Sequence, residues 1–329
     1  MIPQRKITET TEINTISSIN SLINYGTTLL KDSVSTPKLD TEVILLHVIN
    51  NNRGREYLYT HPNDKVETDK IKVFEKFMER RNKKEPVSYI TGKKEFWSLE
   101  FMVNDSVLIP RPETEQLVEI AITKIQRKNQ RESIHNETEN KGISKFLSSQ
   151  DFYIDRNQIN IADIGTGSGA IAIALASELK QETVNIYALD NSNKALEIAF
   201  QNIYMHDLNN YITLIKGEYF DHMKPESFDL IVTNPPYIDC KDLKNLDDNV
   251  IKYEPINALD GGEDGLKHIR KIVENAWIYL KPQGEILMEI GDEQLSSVMK
   301  IVLDLGHYID FNFYNDLSGT PRIVSFIKK

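Results

Sequence analysis

"IADIGTGSGAIAIALA", residues 161–176, decides the architecture of this chain. Ile161 to Ile164 form a short run in which only Asp163 is polar. Three glycines follow at alternate positions, Gly165, Gly167 and Gly169, and then a stretch of alanines and aliphatics suited to a buried helix. The stretch reads as a strand that turns sharply into a helix. Glycine takes positive φ angles without a steric cost and lets the backbone come close to a ligand. The spacing is Gly-x-Gly-x-Gly after an aspartate, not the Gly-x-Gly-x-x-Gly of dinucleotide-binding enzymes.

Outward from this turn the chain alternates. Strands are predicted at 159–164, 184–189, 211–215, 229–233 and 284–290, and helices at 170–180, 193–204, 265–281 and 292–304. Alternation of this kind implies a parallel sheet covered by helices on both faces. The end differs. "HYIDFNFYND" and "PRIVSFIKK" are joined by "LSGT", too short for a crossover helix, so an antiparallel hairpin is predicted at the sheet edge.

The second strand ends "YALD" at Asp190, 27 residues after Asp163 (190 − 163). An acid there can accept from both hydroxyls of a ribose. With no phosphate to neutralise, a methyl donor suits the site better than NAD. On this reading Gly165, Thr166, Gly167, Ser168 and Gly169 cradle S-adenosylmethionine, and similarity to S-adenosylmethionine enzymes puts Asp163 near the donor's amino-acid end. Tyr219, in "KGEYFD" after the third strand, supplies an aromatic surface for the adenine.

The fourth strand runs into "TNPPYID", residues 233–239. Proline donates nothing to a sheet ladder, so the strand ends here. An Asn-Pro-Pro-Tyr tetrapeptide after the fourth strand resembles those of methyltransferases that modify planar amide-like nitrogens. Such a nitrogen is a poor nucleophile because its lone pair is delocalised. Its N–H groups need fixed acceptors, and the Asn234 side-chain oxygen and the Pro235 carbonyl qualify. The rigid φ angles of Pro235 and Pro236 hold both in advance. Tyr237 lies against the planar group and excludes water. Preorganised acceptors stabilise positive charge as it arrives on the nitrogen. Asn234 also borders the donor. Asn234, Pro235 and Tyr237 are thus the candidate catalytic residues, and Asn234, Pro235, Pro236 and Tyr237 the candidate substrate site.

Bulk properties exclude several classes. No apolar run approaches the roughly 20 residues of a membrane span, and the polar start, "MIPQRKITETTEINT", lacks the apolar core of a signal peptide. One cysteine, Cys240, permits no intrachain disulfide and fits a reducing compartment. A catalytic role for Cys240 is disfavoured, since methyl transfer needs no thiolate. The scattered histidines give no metal-ligand spacing. The net charge of −10 disfavours a nucleic-acid substrate. Between Lys70 and Lys94, however, nine lysines and arginines face three glutamates, a local excess of six. That stretch is either a solvated helix face or a docking face for an acidic partner.

The length of 329 residues allows two domains. Residues 13–85 read as short helices, with Ile71, Phe74 and Met78 at helical spacing and Pro86 ending the last. "EFWSLEFMVNDSVLIP" reads as a hairpin, with Phe96, Leu99, Phe101 and Val103 before a turn at Asn104-Asp105 and Val107-Leu108-Ile109 after it. "RPETEQLVEIAITKI" opens a helix with Pro112 in its first turn. Residues 126–158 are polar, without periodicity, and read as an exposed insertion with no assigned function.

Five ordered motifs carry a resemblance: "PVSYITGKKEFWSLEF" (86–101), "VLIPRPETEQLVE" (107–119), "DIGTGSG" (163–169), "TNPPYI" (233–238) and "YEPINALDGGEDGL" (253–266). Together they closely resemble the peptide chain release factor glutamine methyltransferases, the PrmC/HemK family, over residues 14–329. DNA adenine methyltransferases share the tetrapeptide but not the rest. The resemblance implies an α/β chain: a Rossmann-like, seven-stranded S-adenosylmethionine-dependent methyltransferase domain with a small N-terminal helical domain and a β-hairpin linker. It implies methyl transfer to the side-chain amide of the glutamine in the Gly-Gly-Gln motif of class 1 release factors, in support of translation termination. The implied layout is a flexible tail at 1–13, a helical substrate-recognition domain at 14–88, the linker at 89–110 and the methyltransferase domain at 111–329. A cytoplasmic monomer without direct nucleic-acid contact is expected. Arg111, Pro112, Glu113, Thr114 and Glu115, with Glu254 and Pro255, match family signatures framing the pocket, and Arg111 is expected to pin its helix to the acidic loop. The glycines and acids of "INALDGGEDGL" suggest a loop passing over the site. The insertion at 126–158 and the extension at the N-terminus depart from the family pattern.

Overall fold

The computed structural model describes residues 17–49, 54–128, 158–180 and 184–329. The expected tail at 1–13 lies outside these residues. So does the polar insertion, apart from 126–128, which complete a helix over 115–128, and Gln158. The chain divides into two compact units, one of residues 1–93 with 247–253, the other of 94–246 with 254–329.

The first unit is helical: Ile19–Leu30, Pro37–Ile49, Glu56–Thr60, Thr68–Asn82 and Val87–Thr91. Ser18 and Ser21 form a capping box at its start, satisfying amides that the first helical turn leaves unpaired. Leu22, Ile44, Leu45, Phe74 and Met78 bury its core. Gly26 allows the close packing there, since a Cβ would stand 2.5 Å from Thr41 Cγ2 and 2.9 Å from Met78 Cε. The basic stretch is less open than its composition suggests. Arg81 pairs with Asp40 at 2.7 Å, Arg80 with Glu85 at 2.5 Å, Lys84 with Asp248 at 2.8 Å and Lys70 with Glu67 at 3.2 Å.

The second unit holds the sheet. A hairpin of β1 (Lys93–Phe96) and β2 (Leu99–Met102) precedes it. Seven strands follow: β3 (Ile159–Ile164), β4 (Val184–Asp190), β5 (Ile212–Lys216), β6 (Phe228–Thr233), β7 (Leu280–Glu289), β8 (Tyr308–Asn315) and β9 (Pro321–Lys328), in spatial order β5-β4-β3-β6-β7-β9-β8. β3 pairs in parallel with both β4 and β6, and β9 runs antiparallel to β7 and β8. The predicted doubly covered α/β sheet with an antiparallel edge hairpin is therefore present. β6 is buried at every position and β3 at five of six, which is why both read as near-continuous apolar runs. The strand order reverses between β3 and β6. Open α/β sheets bind ligands at the carboxyl ends of strands at such a point.

Two expectations need correction. The hairpin turn is at Trp97-Ser98, not Asn104-Asp105. Both residues have positive φ, 54° and 56°, as a two-residue turn matching the strand twist requires. Val107-Leu108-Ile109 form no strand, because the Ile109 amide is taken by the Glu254 carboxylate at 3.2 Å and Pro110 has none to give. β7 also begins earlier than predicted, at Leu280, with a register shift against β6. The hairpin is tied to the sheet unit by Asn202, whose Oδ1 accepts from Met102 N at 2.7 Å and whose Nδ2 donates to Met102 O and Ser168 O.

Candidate active site

The turn after β3 is built as its glycines predict. Gly165, Gly167 and Gly169 have φ of 76°, 57° and 82°. Their roles differ. A Cβ on Gly165 or Gly167 would meet nothing within 4 Å, so the backbone there faces open space. A Cβ on Gly169 would stand 3.1 Å from Ile173 Cδ1 and 3.4 Å from Ala199 Cβ, so that glycine serves helix packing.

A cleft opens at the switch point. Gly165 and Gly167, Asp190, Tyr219, and Asn234 with Pro235 and Pro236 all border it. Pro255, Asn257 and Ala258 of the loop after Glu254 border it too, as do His268 and Ile272. Asp163, Thr166, Ser168, Gly169 and Tyr237 are not among the residues that line it.

Asp190 is held from one side. Its Oδ2 accepts from Gly167 N at 2.9 Å and its Oδ1 from Ser192 N at 2.8 Å. Each carboxylate oxygen retains a lone pair, so two further donors can be received. Burial pushes its carboxyl upward, against the pull of the Ser192 and Gly167 amides and of Lys216. Asp163 is fully buried. Burial raises its pKa to about 7, although the Thr166 hydroxyl donates to its Oδ2 at 2.7 Å. The Ala172 amide also pulls it down, although Oδ1 has no partner at good hydrogen-bond geometry among the described residues.

Tyr219 has a positive φ of 51°, and its hydroxyl lies 2.9 Å from His268 Nδ1. Burial lowers the His268 pKa.

At the other end, Asn234 Nδ2 donates to Thr114 Oγ1 at 3.1 Å, and that hydroxyl donates to Glu289 Oε2 at 2.7 Å. The Tyr237 hydroxyl donates to Glu289 Oε1 at 3.2 Å. Glu289 ends β7 and is 3% exposed. Burial raises its pKa, against the Thr114 and Tyr237 hydrogen bonds and the charge of Arg322. The same burial, with the Glu289 charge, pushes the Tyr237 phenol well up. Among the described residues, nothing bonds Asn234 Oδ1 or the Pro235 carbonyl. The segment after the tetrapeptide is braced by the glycine loop. Ile238 N donates to Leu259 O at 3.1 Å, Gly261 N to Ile238 O at 2.8 Å, and Gln294 Nε2 to Tyr237 O at 2.9 Å.

Residues 21–92 match the family model described as the PrmC N-terminal domain, and residues 144–253 the one described as the methyltransferase small domain. A release factor glutamine methyltransferase of Shewanella oneidensis is 35% identical over 88% of this chain and 90% of its own length. One of Aliivibrio fischeri is 32% identical over 93% of this chain and 96% of its own length. This chain belongs to the release factor glutamine methyltransferase family. A bifunctional methyltransferase of Rickettsia bellii is 38% identical over 93% of this chain, but the match spans only 54% of that protein. The chain thus covers about half the length of its bifunctional relatives.

Two site residues of this family member escape a reading of the sequence alone. His268 is the second residue of the helix Lys267–Tyr279, with no motif around it. Glu289 looks like any acid at a strand end. The available signal was positional: β7 neighbours β6, so its carboxyl end must lie beside the tetrapeptide. Arg111 does meet the acidic stretch, pairing with Glu254 Oε1 at 2.6 Å. In the same motif Thr114 bears directly on Asn234.

Proposed function

We propose that this protein transfers a methyl group from S-adenosylmethionine to the side-chain amide nitrogen of the glutamine in the Gly-Gly-Gln motif of class 1 peptide chain release factors, in support of translation termination. The observation that carries this reading is a pair of acceptors without a partner among the described residues, Asn234 Oδ1 and the Pro235 carbonyl, on residues that border the same cleft as Asp190. Two fixed acceptors suit a group with two N–H donors. They keep an amide from rotating, so its nitrogen meets the donor in one orientation. They also stabilise the charge that reaches this nitrogen in the transition state, an effect of about 3 kcal/mol per well-placed group.

The residues at the other end fit the donor. The lone pairs left on Asp190 suit a ribose diol. The open backbone at Gly165 and Gly167 suits close approach by the ligand. Tyr219, fixed by His268, presents a ring edge for a purine. The buried Asp163, held by the Thr166 hydroxyl, stands near the donor's amino-acid end on this reading. When bound, the donor supplies an electrophilic methyl group on a sulfonium. The chain's own work is to hold the amide, exclude water and accept hydrogen bonds from its N–H groups at Asn234 Oδ1 and the Pro235 carbonyl, the displaced proton leaving the nitrogen after methyl transfer. Pro236 keeps the two acceptors rigid, and Tyr237 backs the tetrapeptide through Glu289.

The helical unit recognises the release factor, and the protein acts as a cytoplasmic monomer without direct nucleic-acid contact. The test uses labelled S-adenosylmethionine with a purified class 1 release factor, its Gly-Gly-Gln to Gly-Gly-Ala variant and a DNA duplex. Label is expected on the first alone. An unlabelled release factor, or equal label on the variant, refutes the reading.

A further inference from the structure

We infer that Thr114 and Glu289 are positioning residues that decide which end of the Asn234 amide faces the cleft, and so make the site accept an amide and reject a carboxylate. This rests on the substrate class proposed above.

Proton counting sets the orientation. A hydroxyl has one hydrogen to give. Thr114 Oγ1 lies 2.7 Å from Glu289 Oε2 and 3.1 Å from Asn234. With Glu289 ionised the carboxylate only accepts, so the threonine hydrogen goes to Glu289. Thr114 then has only lone pairs left for Asn234, and the group facing it must be the NH2 end. The oxygen is the end that remains for the cleft. The second Glu289 oxygen is taken by the Tyr237 hydroxyl at 3.2 Å, so the carboxylate is satisfied on both sides. Thr114 is 5% and Glu289 3% exposed, which leaves little room for water to stand in for either partner.

The consequence is chemical selectivity. An amide side chain meets Asn234 Oδ1 with an N–H, donor to acceptor. A carboxylate in the same place sets oxygen against oxygen. Without the pin, Asn234 turns over at little cost and presents NH2, which suits a carboxylate. Sites built to match a polar group reject mismatched analogues by large factors, because buried partners are left unpaired.

The experiment compares the full chain with Thr114→Val, similar in shape but without the hydroxyl, and with Thr114→Ser, which keeps it. Three quantities are read: kcat and KM for the release factor, the Ki of a release factor with glutamate in place of the motif glutamine, and the Kd of S-adenosylhomocysteine. For Thr114→Val we expect kcat to fall about 100-fold, the preference for glutamine over glutamate, as Ki over KM, to shrink at least tenfold, and the Kd to stay within twofold. Thr114→Ser should recover most of both losses. An equal loss in Thr114→Ser, or a Kd that weakens in step with kcat, assigns Thr114 a merely structural role and overturns the inference. A readout independent of the substrate is hydrogen exchange of the Asn234 side-chain NH2, followed by NMR in protein with 15N-labelled asparagine. Slow exchange is expected in the parent and in Thr114→Ser, and fast exchange in Thr114→Val. Equal exchange in parent and Thr114→Val overturns the inference whatever the substrate. If the parent fails to methylate the release factor but shows the exchange pattern, the substrate reading fails and the positioning role stands.

Discussion

Arg111 and Glu254, 143 residues apart in the chain, form an ion pair of 2.6 Å. The glutamate side chain is 1% exposed and the arginine 34%. Glu254 also accepts the Ile109 amide, so one carboxylate fixes the approach to the helix over 115–128 and the start of the loop that borders the cleft. The asymmetry of burial sets the order of costs. Arg111→Ala strands a buried charge and should cost about 3 kcal/mol. Glu254→Gln leaves an arginine that reaches water and an acceptor that still serves Ile109, and should cost about 1 kcal/mol. Thermal denaturation of the two variants checks the order, and a reversed ranking contradicts it.

Asp163 gives a pH dependence with a defined sign. Its folded-state pKa is raised from 3.8 to about 7. Between those values the native state holds a proton that the unfolded chain has lost, so native stability falls as pH rises through this window. The span limits the effect to about 4 kcal/mol. Asp163→Asn removes this titration. The parent should lose Tm between pH 5 and pH 8 relative to Asp163→Asn in the absence of donor, and parallel curves would remove Asp163 as the cause.

Glu289 predicts an acid limb in turnover. Its pKa is raised by burial, against the hydrogen bonds of Thr114 and Tyr237 and the charge of Arg322, with Glu113 adding to the rise. Below that pKa the group carries a proton and donates. The Thr114 hydroxyl is then free to donate to Asn234, which turns the amide. Turnover should therefore fall as pH drops, with a midpoint above that of an ordinary glutamate. In Glu289→Gln the limb should vanish at a lower plateau. An unchanged limb in that variant assigns the titration to another group.

The two ends of the cleft should separate kinetically. Asp190→Ala removes the acceptor of the Gly167 and Ser192 amides and the proposed ribose contact, so donor Kd should weaken by at least tenfold. Asn234→Ala should lower kcat by about 100-fold and leave donor Kd within twofold. Calorimetry with S-adenosylhomocysteine beside steady-state rates checks both. A large kcat loss with intact donor affinity in Asp190→Ala would reverse the assignment.

What was legible in the sequence is what is local. β3 and β6 are buried on both faces, so their apolar runs mark them within a residue or so. The glycine turn announces itself through three residues that tolerate positive φ. The β1–β2 turn did not, because Trp97 and Ser98 adopt left-handed backbone without being the glycine or asparagine that usually marks it. The role of Glu289 was illegible for a different reason. It arises from Thr114, 175 residues earlier, and from a tyrosine on the adjacent strand's exit. A threonine inside "RPETE" and an acid inside "LMEIG" carry no mutual signal until the sheet aligns them.

Gly265 offers a test of the brace behind the tetrapeptide. It has a positive φ of 70°, and a Cβ there would stand 2.5 Å from the Tyr237 carbonyl oxygen and 2.6 Å from Gln294 Nε2. That side-chain nitrogen donates to both Tyr237 O and Gly265 O. Gly265→Ala therefore combines backbone strain, about 1 kcal/mol for a left-handed residue, with a clash that only a shift of the Tyr237 backbone relieves. The shift moves Tyr237, and through its hydroxyl the Glu289 network that sets Asn234. We expect Gly265→Ala to lower kcat by at least tenfold with donor Kd nearly unchanged, while Gly306→Ala, at a φ of 68° with no neighbour within 4 Å, costs a similar strain and leaves kcat alone. Equal kinetics for the two variants would show that strain alone, not displacement of the tetrapeptide, explains the loss.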